Sequence, residues 1–121
     1  MNEQTTVVLG ASPHADRYAY LAVQRLVAKG FPVIAVGKRP GTIGEVPIVA
    51  DLQGAHAIHT VTLYLNPGNQ RQWYSRILAW KPHRIIFNPG TENDELAQQA
   101  SKAGIEVVTG CTLVMLAAGT Y

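Results

Sequence analysis

Val7-Val8-Leu9-Gly10-Ala11-Ser12-Pro13 is the stretch that decides the fold, because an apolar run passes through small residues into an amphipathic segment that ends at Lys29-Gly30. A strand, tight turn and helix in this order direct free backbone N–H groups at whatever lies above the turn, which suits a phosphate. The spacing is G-x-S-x-x-A, so Ser12 and Ala15 stand where the dinucleotide-binding pattern G-x-G-x-x-G has its later glycines. The stretch therefore predicts a nucleotide site.

Short β-branched runs alternate with helical patterns along the rest of the chain. The runs are Thr6 to Leu9, Pro32 to Val36, Ile58 to Leu65, Arg84 to Phe87, and Ile105 to Val108. Apolar runs of this length, separated by helices, are typical of parallel strands covered on both faces. We predict an α/β fold, a three-layer doubly wound sheet of about five parallel strands, in one domain that spans residues 1–121.

Four segments have helical patterns. They are Asp16 to Lys29, Pro67 to Trp80 with Asn66 as its cap, a segment from a Thr91 or Asn93 cap to Gly104, and Thr112 to Ala118. In the first helix, two adjoining stripes are predicted to face the core: Tyr18, Ala22 and Leu26, and Ala19, Val23 and Val27. The aromatic and aliphatic residues of the second helix, Trp73 among them, are expected to be core, and the last helix is apolar enough to be largely buried.

The segment Gly37 to Ala57 is rich in Gly and Pro and is too short for a full crossover helix. We predict that it loops, with Val46-Pro47-Ile48 extended and Asp51 to Ala55 forming one or two turns.

Composition and charge narrow the possible partners. The chain has 10 Lys and Arg against 8 Asp and Glu, dispersed along its length, for a formal net charge of +2. A nucleic-acid-binding surface usually shows a concentrated basic face, so no nucleic-acid partner is expected. There is no basic leader with a long apolar segment and no bilayer-length run, so no membrane partner is expected either. A solitary cysteine, Cys111, fits a reducing compartment, and we expect a cytoplasmic protein.

The second strand ends in a basic pair, within Val36-Gly37-Lys38-Arg39. A fold of this kind that prefers NAD usually has an acidic residue here, which bonds the ribose hydroxyls. The basic pair instead favours an adenosine with an extra phosphate, either the 3′-phosphate of coenzyme A or the 2′-phosphate of NADP. The alternative is that Lys38 and Arg39 only solvate a surface loop.

Three further loops follow predicted strands and share this sheet edge: Asn66-Pro67, Asn88-Pro89-Gly90 and Gly110-Cys111-Thr112. Their amide side chains and rigid turns can hold an adenine or a pantetheine amide, although tight turns require these residue types in any case. Cys111 precedes a helix, where a thiolate is stabilised and can exchange with a ligand thiol; the alternative is a buried free cysteine.

Residues for acid–base or metal chemistry do not form a recognisable pattern. His59 alternates with Val61 and Leu63, so it is predicted on a buried strand face, while His14, His56 and His83 lie in loops. No spacing is that of a metal site. The acidic residues after Thr91 are explained as complements of a helix dipole. No catalytic residue is predicted.

The chain resembles the small single-domain coenzyme A-binding proteins, whose domain is related to the coenzyme A-binding domain of succinyl-CoA synthetase. The resemblance is carried by Gly10-Ala11-Ser12-Pro13, Arg17-Tyr18 with Tyr20, Tyr64-Leu65-Asn66-Pro67, Phe87-Asn88-Pro89-Gly90-Thr91-Glu92-Asn93, and Cys111-Thr112-Leu113-Val114-Met115. It implies a Rossmann-like fold with a coenzyme A site built from the first turn, the end of the second strand and the later loops. It does not imply an enzyme activity.

These arguments combine into one functional hypothesis. The protein is expected to bind coenzyme A or an acyl-CoA non-covalently, without catalysis of its own. The expected binding residues are Gly10, Ala11, Ser12, Pro13, Arg17, Tyr18, Gly37, Lys38, Arg39, Asn66, Pro67, Asn88, Pro89, Gly90 and Cys111. The alternatives are an NADP-dependent or acyl-CoA-processing enzyme, and a nucleotide-sensing module that acts through a protein partner or as a homo-oligomer.

Overall fold

Seven strands form one sheet in the computed structural model, which describes residues 4–52 and 57–121. The strands are β1 (Thr6–Leu9), β2 (Val33–Val36), β3 (Gly41–Ile43), β4 (Val46–Val49), β5 (Thr60–Leu63), β6 (Arg84–Phe87) and β7 (Glu106–Thr109). Their order across the sheet is β3-β4-β2-β1-β5-β6-β7, and all pairs are parallel except β3 with β4. The predicted α/β doubly wound class is confirmed.

The strand order contains the reversal at which ligands bind in this class of fold. From β1 the chain moves outward through β2 to β4, and it then returns to place β5 on the other side of β1. The connections above β1 therefore leave in opposite directions, which opens a crevice at the carboxyl ends of the strands.

Helices cover both faces of the sheet and place a core on each side. They are α1 (Tyr18–Ala28), α2 (Pro67–Gln70), α3 (Tyr74–Trp80), α4 (Asp94–Lys102) and α5 (Thr112–Ala118), with a 3₁₀ turn at Arg71–Trp73 between α2 and α3. Because side chains alternate along a strand, Val7 and Leu9 pack with α3 and α4, whereas Val8 packs with α1 and α5. Full burial of such side chains contributes about 1.5–3 kcal/mol each. In the described residues, none of the helices has the length and apolarity to cross a membrane.

The segment predicted to loop after β2 contributes two strands. Val46-Pro47-Ile48 is extended, as expected, but it pairs with Gly41–Ile43 and enlarges the sheet beyond the five predicted strands. Pro47 is tolerated because β4 pairs with β2 only through Ile48 and Val49, beyond the residue that lacks an N–H. The turns predicted for Asp51 to Ala55 fall partly outside the described residues, as does His56.

Two predictions about helix faces are wrong. Tyr18 and Val27 are 74% and 49% exposed, because α1 turns Ala19, Ala22, Val23 and Leu26 toward the sheet and leaves the flanks of the stripe outside. The last helix has the predicted bounds but is not largely buried, since Thr112 and Leu116 are its buried residues and Val114 is 64% exposed. It lies over one face of the sheet beside α1, so only one side of it meets the core.

Several further details differ from the predictions, including the ends of strands β2, β5 and β7. The first helix starts at Tyr18 and not at Asp16, and the second is interrupted by the 3₁₀ turn. His59 precedes β5 and is only half-buried, so it is not on a buried strand face. Of the two caps proposed for α4, Asn93 is the one observed, with its Oδ1 accepting from the Leu96 N–H at 3.3 Å.

Candidate functional site

A cleft of about 870 Å³ lies at the carboxyl ends of the strands around β1. This volume falls in the range of about 300–1,000 Å³ that is usual for small-molecule and cofactor sites. Most of the residues predicted from the sequence line it: Gly10, Ala11, Ser12, Arg17, Tyr18, Gly37, Lys38, Arg39, Asn66, Pro89 and Gly90. The structure therefore brings the first turn, the end of β2 and the loops after β5 and β6 to one place.

Four predicted site residues do not line the cleft: Pro13, Pro67, Asn88 and Cys111. Pro13 lies against Gly41, where a β-carbon would come within 2.8 Å of it. Pro67 is the first residue of α2, and Cys111 is the residue before α5, half-buried and without a side-chain capping bond.

Both polar atoms of the Asn88 side chain are hydrogen-bonded within the protein. Its Nδ2 donates to Thr62 Oγ1 at 2.7 Å and to the Leu63 carbonyl at 2.8 Å, while its Oδ1 accepts from the Thr112 N–H at 2.9 Å. The buried amide thus joins the ends of β5 and β6 to the start of α5. The helix after β7 is capped by Asn88, and not by the adjacent Cys111.

The first turn is held against β2 and β5 at very short range. The backbone N–H groups of Gly10 and Ala11 both donate to the Val36 carbonyl at 2.9 Å, so these two groups are not free for a phosphate, contrary to the prediction from the sequence. Gly10 has a φ of +100°, and a β-carbon there would lie 2.9 Å from the backbone carbon of Tyr64. Both the left-handed backbone and the close approach require glycine at this position.

The start of α1 opens on the cleft without a capping side chain. Ser12 is not the cap, because α1 begins six residues later and the Ser12 hydroxyl accepts from the His14 N–H at 3.2 Å. Arg17 occupies the cap position in an extended conformation with no side-chain capping bond, and the first turn contains no acidic residue. The helix terminus therefore favours an anion, by about 0.3–1 kcal/mol.

The lining carries a positive charge. It includes the basic side chains of Arg17, Lys38, Arg39 and Arg76, and among the described residues it includes no Asp or Glu. Arg39 Nη1 lies 3.4 Å from His14 Nε2, and both side chains are exposed. Convergent positive charge in a concave site concentrates anionic ligands there. In the described ranges, no three His, Cys, Asp or Glu residues are grouped as a metal site requires.

Gln70 fastens two of the cleft loops to each other. Its buried Nε2 donates to the backbone oxygens of Leu65 and Thr91, both at 2.8 Å, and its Oε1 accepts from Asn93 Nδ2 at 2.9 Å. Every polar atom of this side chain is paired, so it links the loop after β5 rigidly to the loop after β6. Sequence reasoning missed Gln70 because its partners lie up to 23 residues away.

Trp73 and Arg76 form a part of the cleft that sequence reasoning also missed. The guanidinium carbon of Arg76 lies 3.6 Å from the centre of the Trp73 ring, and Arg76 Nη1 pairs with Asp51 Oδ2 at 3.0 Å. Trp73 was expected to be core, and it is 9% exposed, yet both it and Arg76 line the cleft. The available signal was their spacing of three residues, which stacks side chains along a helical segment.

Tyr64 contributes a buried hydroxyl to the wall of the cleft. The neighbouring hydroxyls of Thr62 and Thr112 bond to each other at 2.7 Å, and the Tyr64 hydroxyl has no hydrogen-bond partner among the described residues. Burial raises the pKa of Tyr64 to about 12, against a smaller opposing influence from Thr112. The group is a neutral phenol at any physiological pH.

Similar structures share this architecture. A crystal structure of an uncharacterized protein is 48% identical, with a TM-score of 0.90 over 100% of both chains. A Thermus thermophilus protein, cell-free ID.343, is 21% identical with a TM-score of 0.87, over 98% of this chain and 91% of that one. A hypothetical protein from Pyrococcus horikoshii OT3 is 21% identical with a TM-score of 0.84, over 98% and 84%. The last two likenesses show the fold alone.

A family comparison agrees with the architecture. No curated protein gives a significant match. The sequence matches the family described as CoA binding domain over residues 4–117, which is nearly all of the 121-residue chain. The resemblance stated from the sequence motifs is thereby confirmed. The chain belongs to the CoA binding domain family.

Proposed function

We propose that the cleft binds coenzyme A or an acyl-CoA non-covalently, and that the protein acts through this binding and not through catalysis. Membership of the family supports coenzyme A binding in general. The observation that carries the proposal is the cleft itself, where the Gly10–Ser12 turn, the uncapped start of α1 and the basic side chains of Arg17, Lys38 and Arg39 converge without a carboxylate among the described lining residues. Such a site suits a ligand with several phosphates.

Each part of the ligand has a counterpart in the cleft under this proposal. The pyrophosphate lies over the Gly10–Ser12 turn and the start of α1, and the 3′-phosphate meets Lys38 and Arg39. Asn66 lines the cleft and uses its Oδ1 to accept from the Asn69 N–H at 2.9 Å, which leaves its Nδ2 to donate to a ligand oxygen. Pro89 and Gly90 line the cleft for the pantetheine arm.

NADP is a second candidate, because the pair Lys38 and Arg39 suits a 2′-phosphate as well as a 3′-phosphate. Plain NAD lacks that phosphate and is not expected to bind. The proposal places the protein in the cytoplasm, and a protein partner or a homo-oligomer would transmit the bound state.

Thermal unfolding with added ligand tests the proposal. At a ligand concentration about 100 times its Kd, binding contributes roughly 2.7 kcal/mol, which raises the unfolding midpoint on the order of 10 °C. We expect this rise with coenzyme A and none with NAD, and a larger rise with NADP than with coenzyme A would favour the second candidate. The absence of any shift at millimolar coenzyme A would exclude the proposed ligand.

Cys111→Ser tests whether the Cys111 thiol contributes to non-covalent binding. Because Cys111 does not line the cleft, the variant is expected to bind coenzyme A with a Kd close to that of the wild type under reducing conditions. A loss of more than about tenfold would show that the thiol takes part in binding.

A further inference from the structure

Arg76 lines the cleft and is held there by three neighbouring residues. Its guanidinium carbon lies 3.6 Å from the centre of the Trp73 ring. One terminal nitrogen donates to Asp51 Oδ2 at 3.0 Å, and the other donates to the Gln72 carbonyl at 3.1 Å. Trp73 is 9% exposed, whereas the Arg76 side chain is 37% exposed and lines the cleft. The guanidinium therefore rests over the indole on one side, and the side chain remains partly exposed in the lining of the cleft.

The charge of Arg76 is already matched, which distinguishes it from the other basic residues of the lining. Asp51 supplies the balancing carboxylate, in the one ion pair found among the described residues. Lys38 and Arg39 have no such partner there, and both are exposed. A paired, planar, delocalised cation is a poor primary site for a phosphate, but it is a good surface for stacking an aromatic base.

We propose that the adenine base of the ligand stacks on the open face of Arg76, so that the guanidinium lies between the base and Trp73. This inference rests on the proposed function. Asp51 then acts as a positioning residue, because its ion pair holds the guanidinium over the indole and it does not touch the base. The pantetheine arm, which has no aromatic ring, has no comparable use for this surface.

The position of this surface agrees with that of the basic pair. The Gly37 N–H donates to the Val49 carbonyl at 3.0 Å, which joins the loop that carries Lys38 and Arg39 to the end of β4. Asp51 follows β4 by two residues. In coenzyme A the base and the 3′-phosphate are attached to the same ribose, so a base on Arg76 and a phosphate on the basic pair are mutually consistent.

Three ligands separate the possible roles of Arg76: coenzyme A, dephospho-coenzyme A, which lacks the 3′-phosphate, and 4′-phosphopantetheine, which lacks the whole adenosine. Loss of a stacking side chain typically weakens binding of a base by tenfold or more. We expect Arg76→Ala to weaken coenzyme A and dephospho-coenzyme A equally, by about tenfold, and to leave 4′-phosphopantetheine unchanged. Calorimetric titration at one fixed salt concentration measures all three.

Two variants control this experiment. Arg71→Ala removes the same charge from the preceding turn, at an exposed residue that does not line the cleft, and should change none of the three affinities. Arg76→Lys keeps the positive charge that pairs with Asp51 but lacks the planar guanidinium. It should therefore weaken the binding of the two adenosine ligands and not of 4′-phosphopantetheine, even if Arg76→Ala folds poorly. Asp51→Asn should show a smaller loss confined to the two adenosine ligands, whereas a merely structural role would weaken all three.

A spectroscopic readout reports on the same contact. The chain has two tryptophans, so Trp80→Phe leaves Trp73 as the reporter. Its fluorescence should respond to dephospho-coenzyme A and not to 4′-phosphopantetheine. An Arg76 variant that loses affinity for coenzyme A alone would reassign Arg76 to the 3′-phosphate, and equal losses for all three ligands, or no loss, would overturn the stacking proposal. Failure of the wild type to bind coenzyme A would instead refute the proposed function, and this inference with it.

Discussion

The α-carbon of Gly37 faces the carbonyl oxygen of Ala11 so closely that a β-carbon at position 37 would lie 2.1 Å from that oxygen. This separation is far inside van der Waals contact, so no side chain fits there without movement of the backbone. Gly37 directly follows β2, Ala11 comes two residues after the end of β1, and both line the cleft. Their approach holds the floor of the cleft in shape.

Gly37→Ala is expected to lower the free energy of unfolding by about 1–3 kcal/mol and to weaken coenzyme A binding, because the added methyl group separates the first turn from β2. Chemical denaturation and titration measure the two effects. Gly110→Ala is the matched control, since its β-carbon would meet nothing closer than 3.8 Å and its φ is not positive. Equal stability of the two variants would contradict the packing argument.

The Lys38→Ala/Arg39→Ala double variant tests recognition of the 3′-phosphate. Charge-assisted hydrogen bonds contribute about 1.5–3 kcal/mol, so coenzyme A binding should weaken at least tenfold while dephospho-coenzyme A binding hardly changes. The loss from the variant and the loss from deleting the phosphate should not add. The titrations need one fixed salt concentration because screening alters these contacts. Equal losses for both ligands would show that the pair acts through the general field of the cleft.

Tyr64→Phe is expected to leave the fold as stable as the wild type or up to about 1 kcal/mol more stable. The variant removes a buried hydroxyl that has no hydrogen-bond partner among the described residues, and such a group costs free energy when it leaves water. Thermal and chemical unfolding measure the difference. Thr62→Val is the contrasting variant, because Thr62 Oγ1 bonds to both Asn88 and Thr112, and its loss should destabilise. A clear destabilisation by Tyr64→Phe would mean that the hydroxyl is paired in solution.

Acidification is expected to destabilise the fold through His59. Burial, followed by the nearby charges of Arg84 and His83, lowers the pKa of His59 below its usual 6.5, while Glu106 opposes the shift. As the pH falls, His59 is therefore protonated in the unfolded chain before it is protonated in the folded one. Its contribution to the free energy of unfolding is fully present above pH 6.5 and is lost as the pH falls below that value.

Denaturation midpoints measured between about pH 7.5 and about pH 5 test this effect. His59→Gln should show a shallower loss of stability with falling pH than the wild type. Parallel curves for His59→Gln and the wild type would assign the acid sensitivity to other groups.

Helix ends show which features can be predicted from residues that are close together in the sequence. Asn66 caps α2 with its Oδ1 on the Asn69 N–H, and α4 begins after Asn93, one of the two caps predicted. Both features depend on residues three apart, so the sequence contains everything needed to predict them. The interruption of the second helix at Arg71–Trp73 was not predicted, because the turn carries Trp73 into the core below the cleft and its stability depends on that distant packing.

The residues of the candidate site likewise divide into those that local sequence predicts and those that depend on distant partners. The positions of Gly10, Lys38 and Pro89 at one edge of the sheet could be predicted, because parallel strands direct their carboxyl ends the same way. The roles of Gln70 and Arg76 could not, since each depends on a partner about twenty or more residues away along the chain, Thr91 for one and Asp51 for the other.

By itself, the sequence determined the alternation of strands and helices, the class of the sheet and the edge at which its loops meet, because these depend on spacing and on the chirality of the backbone. Tertiary structure decided the rest. It determined the pairing of β3 with β4 and the close approach of Gly37 to Ala11. It also determined the buried hydrogen bonds of Asn88 and the packing of Arg76 on Trp73. Those contacts join segments that no local pattern relates, and they form only when the complete sheet and its two cores bring the segments together.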